Sequence, residues 1–202
     1  MGWTYICRPL RHDETPDSYL REKSGALNWS KHDDATGDRH EVIASAMVGS
    51  VWYGALKITY ASTPGTSRVV ALVFLTSQRK GEGFGWKDMS EDMGPNECDC
   101  PKRILDLLTP TESEYAREWR DRCNARRGEK ARQRKVISAL TPGTVIRFGH
   151  PITFKSGRSS DTFKVIKSPY TKGIAFTLPN DAGLFKLPTR ILAAASIVEG
   201  GV

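Results

Sequence analysis

The residues of this chain best suited to chemistry are five carboxylates within residues 84–101. They are Asp88, Glu91, Asp92, Glu97 and Asp99. Carboxylate oxygens are the ligands that Mg²⁺ and Ca²⁺ prefer, and Lys87 beside them suits metal-dependent phosphodiester hydrolysis. Their spacing matches neither an EF-hand loop nor a known nuclease pattern. We therefore predict an ordered strand-to-helix loop whose acids face water and bind no metal, and keep a metal-dependent hydrolase as an alternative.

The same segment carries side chains that are favoured at protein interfaces. The candidate partner-binding residues are Trp86, Lys87, Met89 and Met93. Tryptophan and methionine often anchor protein contacts, but the same residue types also fill hydrophobic cores. These residues can therefore be interpreted in two ways. They form either a surface that binds a partner or core side chains that cover the sheet.

The cysteines offer a second kind of site. Cys98 and Cys100 are separated by one residue, whereas paired zinc ligands usually have roughly two to four residues between them. Cys7 and Cys123 fall on a predicted strand and a predicted helix stripe, where a thiol is typically a small buried apolar group. The histidines carry no signature of nucleophilic catalysis. We therefore expect a non-enzymatic protein without a cofactor.

A dense basic cluster follows in the second half of the chain. Its members, the candidate nucleic-acid-binding residues, are Arg126, Arg127, Lys130, Arg132, Arg134 and Lys135. Such a cluster can neutralise several phosphates and gives salt-dependent, largely sequence-independent affinity. The net charge of +7 is unevenly distributed, because residues 1–116 are net negative and residues 117–202 are net positive. A basic face that is merely solvated is the alternative.

Aromatic residues alternate with basic residues beyond this cluster. They are Phe154, Phe163, Tyr170, Phe176 and Phe185. Exposed aromatic rings among cations are suited to stacking on single-stranded nucleic acid. If the strands form a barrel, however, the same rings point inward and form its core.

These residues must be positioned by an α+β front domain, predicted over residues 1–130. Apolar, β-branched runs predict a meander of strands at 42–48, 51–60 and 68–77, with a further strand at 3–7. Helices are predicted from Pro16 to about Lys23, over 101–108, and from a capping box at 109–112 onward. Residues 30–40 are predicted to form a loop.

A basic linker is predicted over residues 131–137, because the helix loses its apolar stripe there. Residues 138–202 then predict a small all-β domain, an SH3-like or OB-like barrel. Its five short strands are expected at 145–148, 152–155, 161–166, 173–178 and 183–187.

The sequence GWKDMSEDMGP at residues 85–95 resembles a family of uncharacterised proteins encoded by phages, plasmids and other mobile elements. Further likeness lies at Cys100-Pro101, residues 104–110, Glu118-Trp119-Arg120, the first four residues and residues 161–163. The resemblance implies a mobile-element context and no particular activity or catalytic residue.

Together these observations predict a non-enzymatic accessory protein of a mobile genetic element that contacts nucleic acid or a nucleic-acid-handling host complex. An inhibitor that binds a host defence protein without touching nucleic acid is an alternative. The first residues lack the pattern of a secretory signal, and the longest apolar run, 69–75, is far shorter than a bilayer span. We therefore expect a cytoplasmic protein with reduced thiols and no membrane contact.

Overall fold

The computed structural model describes residues 2–6, 8–26, 37–79, 83–171, 173–179, 181–192 and 194–198. Cys7 and most of the loop predicted at 30–40 lie outside these residues. The chain divides into two compact units, Met1–Arg126 and Arg127–Val202. We call them the N-terminal unit and the C-terminal unit. No helix within the described part of the chain is both long and apolar enough to span a membrane.

The N-terminal unit is built on one antiparallel sheet of five strands in the order β1-β5-β4-β3-β2. The strands are β1 (Thr4–Tyr5), β2 (Arg39–Val48), β3 (Val51–Thr59), β4 (Ser67–Arg79) and β5 (Gly83–Ser90). The pairings of β2 with β3 and of β3 with β4 confirm the predicted meander. The strand predicted at 3–7 is shorter than expected, and it pairs with β5 at one edge of the sheet.

Both faces of this sheet are buried, which explains the unbroken apolar run in β4. Leu72 and Phe74 point to a core that includes Leu20 of helix α1 (Pro16–Ala26). Ala71 and Val73, on the opposite face, belong to a second core. Because successive side chains of a strand point to opposite faces, a strand covered on both sides needs apolar residues at every position.

Helices α2 (Lys102–Leu105) and α3 (Glu114–Ala139) supply the second core. Ile104 of α2 and Trp119 of α3 are both fully buried there. The predicted start of α3 was wrong by a few residues, because the helix begins after Ser113 rather than after Thr109. The hydroxyl of Ser113 accepts a hydrogen bond from the backbone N–H of Ala116 at 3.4 Å, as a capping side chain does.

The prediction that residues 84–101 form a loop was wrong for the first half of the segment. Residues 83–90 are β5, which pairs along β4 with Trp86 opposite Thr76 and Asp88 opposite Phe74. Phe84 and Trp86 are buried on the face that carries α1. A short 3₁₀ turn, Glu91–Met93, follows the strand. It ends at Gly94, whose φ of 58° favours glycine.

The second half of α3 continues through residues 131–137, where the sequence predicts a linker. Ala, Arg, Gln and Lys dominate this stretch, and these residues favour helix even without an apolar stripe. Ile137, near the end of the helix, packs against the core of the C-terminal unit.

The C-terminal unit contains a second antiparallel sheet of five strands in the order β10-β6-β7-β8-β9. The strands are β6 (Val145–Thr153), β7 (Ser159–Lys167), β8 (Ile174–Leu178), β9 (Asp181–Phe185) and β10 (Ser196–Val198). A one-turn helix, α4 (Thr189–Leu192), lies between β9 and β10 in the chain.

Two details of this sheet differ from the prediction. The strands predicted at 145–148 and 152–155 are one strand, β6, with an irregularity in its pairing between Arg147 and Ile152. The pairings of the described residues also leave β9 and β10 as open edges, so these residues form an open sheet and not a closed barrel. The molecule is thus a mixed α+β protein with two antiparallel sheets.

We expect Gly54→Ala to lower the free energy of unfolding by about 1–3 kcal/mol. A Cβ at Gly54 would overlap the indole ring of Trp52, which is fully buried. Gly128→Ala is the matched control, since a Cβ at this position of α3 meets no described atom within 4 Å. It should raise the free energy of unfolding by about 1 kcal/mol. Urea denaturation measures both, and an unchanged Gly54→Ala protein would contradict the packing of Trp52.

Candidate functional site

Glu91 is buried and bound, in contrast to the prediction that the motif carboxylates face water. Its side chain is 1% exposed. Arg120 of α3 donates from Nε to Oε2 and from Nη2 to Oε1, both at 2.7 Å. The backbone N–H of Ala71 donates to Oε1 at 3.2 Å. This two-pronged, charge-assisted contact satisfies the carboxylate.

Arg120 extends the same network to the segment that precedes α3. Its Nη1 donates to the backbone oxygen of Thr109 at 2.8 Å. Thr109 is in turn held against β4, because its hydroxyl accepts the N–H of Val69 at 2.8 Å. A small cavity of about 160 Å³ beside the ion pair is lined by these residues and by Arg68. One arginine therefore joins the motif, the sheet and the helix.

Residues 94–97, after the 3₁₀ turn, are also held by α3. The indole N–H of Trp119 donates to the backbone oxygen of Glu97 at 2.9 Å. Nη2 of Arg122 donates to the backbone oxygen of Pro95 at 3.0 Å. The backbone of this part of the motif is thus fixed by side chains of one helix.

Asp99 lies near the end of the acidic segment 84–101 and links this segment to both the sheet and the helix. Its backbone N–H donates to the hydroxyl of Tyr53 at 3.1 Å. Its Oδ1 lies 3.4 Å from Nε of Arg126, the first of the basic-cluster residues. Arg126 therefore has an acidic partner within the N-terminal unit.

The described residues hold no group of three or more His, Cys, Asp or Glu side chains arranged to bind a metal ion. Cys98, Cys100 and Cys123 are free thiols, and the last two are buried. Burial raises the pKa of Cys123 to about 12, and it also raises the pKa of Tyr53. Cys123 thus stays a protonated, apolar group at neutral pH, as its place on the helix stripe suggests.

The candidate partner-binding residues do not form one surface. Trp86 is 7% exposed and packs edge-on against Tyr19, with the ring centroids 5.4 Å apart. Met89 packs into the core on the opposite face of the sheet. Lys87 is half-buried, and Met93 is 47% exposed. Trp86 and Met89 are therefore structural, and Met93 is the apolar candidate that stays exposed.

The basic cluster lies in the second half of α3. Arg126, Arg132, Arg134 and Lys135 are exposed, and Arg127 and Lys130 are half-buried. Residues three and four apart share a face of a helix, so Arg127, Lys130 and Arg134 form one row. The sequence assigned Arg132, Arg134 and Lys135 to a linker, whereas helix α3 extends through all six residues.

The phenylalanines for which the sequence left both stacking on nucleic acid and a core position open form the core of the C-terminal unit. Phe163 and Phe176 are buried, and Phe154 and Phe185 pack beside them with ring centroids 4.5 Å apart. Tyr170 differs, because it is 85% exposed. It stands at a groove of about 420 Å³ that the sequence did not reveal.

Residues 110–190 match the model of a domain of unknown function (DUF6927). No curated protein and no solved structure matches the chain. The matched range contains the basic part of α3 and strands β6 to β9, and the motif at 85–95 lies outside it.

We expect Glu91→Ala and Arg120→Ala each to lower the free energy of unfolding by about 3–5 kcal/mol, because each leaves a buried charge without its partner. The double variant should cost less than the sum of the two. Lys102→Ala is the control, since it removes the exposed pair with Asp106 and should cost less than about 1 kcal/mol. Chemical denaturation of all four proteins provides the test, and strictly additive losses would contradict the coupling.

The raised pKa of Cys123 predicts how the free energy of unfolding changes at alkaline pH. The ordinary pKa of this thiol is about 9, so the unfolded chain releases the proton above about pH 9. The folded state keeps it there, because its pKa is raised. The free energy of unfolding should therefore be unaffected by this group below about pH 9 and fall as the pH rises above it. Cys123→Ala should show a shallower decline in denaturation experiments between about pH 8 and pH 11. Identical profiles would contradict the burial of the thiol.

Proposed function

We propose that this protein is a non-enzymatic accessory binding protein of a mobile genetic element, and that it contacts nucleic acid or a nucleic-acid-handling host complex. The observation that carries the proposal is the exposed, cationic second half of α3. Arg132, Arg134 and Lys135 lie there on the surface. Helical side chains of this kind can each pair with a phosphate of a nucleic-acid backbone.

The charge of the surrounding chain supports the same partner. Residues 136–202 contain only three acidic residues, Asp161, Asp181 and Glu199, against a clear excess of Lys and Arg. Asp161 lies 3.8 Å from Nε of Arg147, so its charge is already offset. A surface with few acids does not repel the phosphate backbone, and long-range attraction speeds the encounter.

The alternative of a host-defence inhibitor that makes no nucleic-acid contact has one favourable observation. Met93 and Tyr115 are 47% and 65% exposed. Tyr115 lies beside Gly94, the residue that follows Met93, since a Cβ built at Gly94 would lie 3.6 Å from the Tyr115 ring. These side chains, rather than Trp86, would then form the partner surface. For the metal-dependent hydrolase, by contrast, Glu91 is engaged with Arg120 and is not available as a ligand.

Three further features belong to the proposal. We propose that the two compact units act as separate domains, that the C-terminal sheet is related to SH3-like or OB-like folds, and that the protein acts in the cytoplasm. The single antiparallel sheet of five strands supports the second of these.

The test measures affinity for single-stranded and double-stranded DNA and RNA at two or more salt concentrations. Replacing Arg132, Arg134 and Lys135 by alanine should weaken binding to every sequence and reduce the slope of log K against log salt by about 2–3. Absence of binding even at low salt would overturn the proposal.

A matched control removes three exposed cations of the N-terminal unit. They are Lys23, Lys102 and Arg117. Replacing these by alanine gives the same net charge as the test variant but spares the cationic second half of α3, so the salt slope should be nearly unchanged. An equal loss of affinity in the control would show that only net charge matters and would reject the second half of α3 as the contact surface.

A further inference from the structure

A groove in the C-terminal unit has the size and lining of a ligand site. Its volume is about 420 Å³, within the range of roughly 300–1,000 Å³ that small-molecule sites occupy. The lining is mainly aliphatic and aromatic, and includes Ile137, Ile174, Phe185, Leu187 and Leu192. An occupant would therefore need a flat or compact apolar part.

Tyr170 stands at the rim of this groove on an ordered turn. The hydroxyl of Ser168 accepts the backbone N–H groups of Tyr170 at 3.3 Å and of Thr171 at 3.2 Å. The N–H of Ser168 donates to the backbone oxygen of Gly173 at 3.0 Å. The backbone N–H of Tyr170 is thus hydrogen-bonded, while its ring is 85% exposed. A tyrosine side chain has only two torsions to fix, so its ring can stack on a planar group at a low cost in conformational entropy.

The charge at the groove selects an anionic occupant. Lys186 lies in the lining and is exposed. Of the described residues that line the groove, Lys186 alone carries a charge. The others are apolar or carry hydroxyl groups. A planar aromatic group joined to an anion fits a ring, a mainly apolar groove that also carries hydroxyl groups, and an ammonium group, and a nucleotide has this composition.

We propose that the groove binds one unstacked base of a single-stranded nucleic acid, with Tyr170 stacking on the base and Lys186 pairing with a neighbouring phosphate. This inference rests on the proposed function and adds a preference for single strands. Bases in a duplex are stacked and paired, so they cannot enter the groove without unstacking. Stacking of bases on aromatic side chains is tolerant of sequence.

The experiment compares three labelled ligands of equal length at one salt concentration. They are an oligothymidylate, the same strand with abasic sites in place of its bases, and a duplex. The strand with bases should bind about tenfold more tightly than the abasic strand, which carries the same phosphates. Tyr170→Ala should remove this difference, and Tyr170→Phe should keep it because the ring remains.

Two further variants guard against indirect effects. Leu184→Trp, at a groove residue that is 41% exposed, should fill the groove and also remove the difference. Trp3→Ala, which removes an exposed aromatic ring from the N-terminal unit, should leave it unchanged. Circular dichroism of each variant verifies that the fold is retained.

The outcomes separate this inference from the proposed function. Equal binding of the base-containing and abasic strands would overturn the groove as a base site and leave nucleic-acid binding by α3 intact. No binding of any of the three ligands at low salt would overturn both. Free thymidine monophosphate displacing the strand at equal concentration would also overturn the assignment, because the ligand would then be a free nucleotide.

Discussion

The buried ion pair between Glu91 and Arg120 is the interaction on which the N-terminal unit depends. Burying a carboxylate is costly unless hydrogen bonds satisfy it, so the end of β5 and the first half of α3 must lie at the distance of a two-pronged contact. The remaining donor of Arg120 extends the constraint to Thr109, which is held against β4. Sheet, motif and helix are therefore joined through one arginine.

Helix α3 has two halves of different chemistry. The first half presents Ala116, Trp119 and Cys123 to a core, and these side chains fix how it packs. The second half presents cations to solvent, its residue types favour helix, and Ile137 near its end packs against the core of the C-terminal unit. Substitutions of these cations should thus alter binding with little effect on the core, which separates the proposed function from the fold.

Local sequence patterns were sufficient for the meander and for the existence of α3, because β-branched runs and helix-forming residues act over short distances. They failed for β5, where glycines and charges resemble a loop and where burial of Trp86 comes from Tyr19, far away in the chain. Burial of Glu91 was equally unpredictable, since Arg120 is 29 residues further on. The groove beside Tyr170 requires side chains from α3, β8 and β9 together, so no single segment reveals it.

The placement of the GWKDMSEDMGP segment bears on how related chains would diverge. Trp86 and Glu91 make internal contacts, so substitutions at these two positions would act through folding. The cationic end of α3 and the groove beside Tyr170 could change without disturbing these contacts. A likeness to the motif therefore bears on architecture, whereas the proposed functions must be compared at residues 126–135 and around Tyr170.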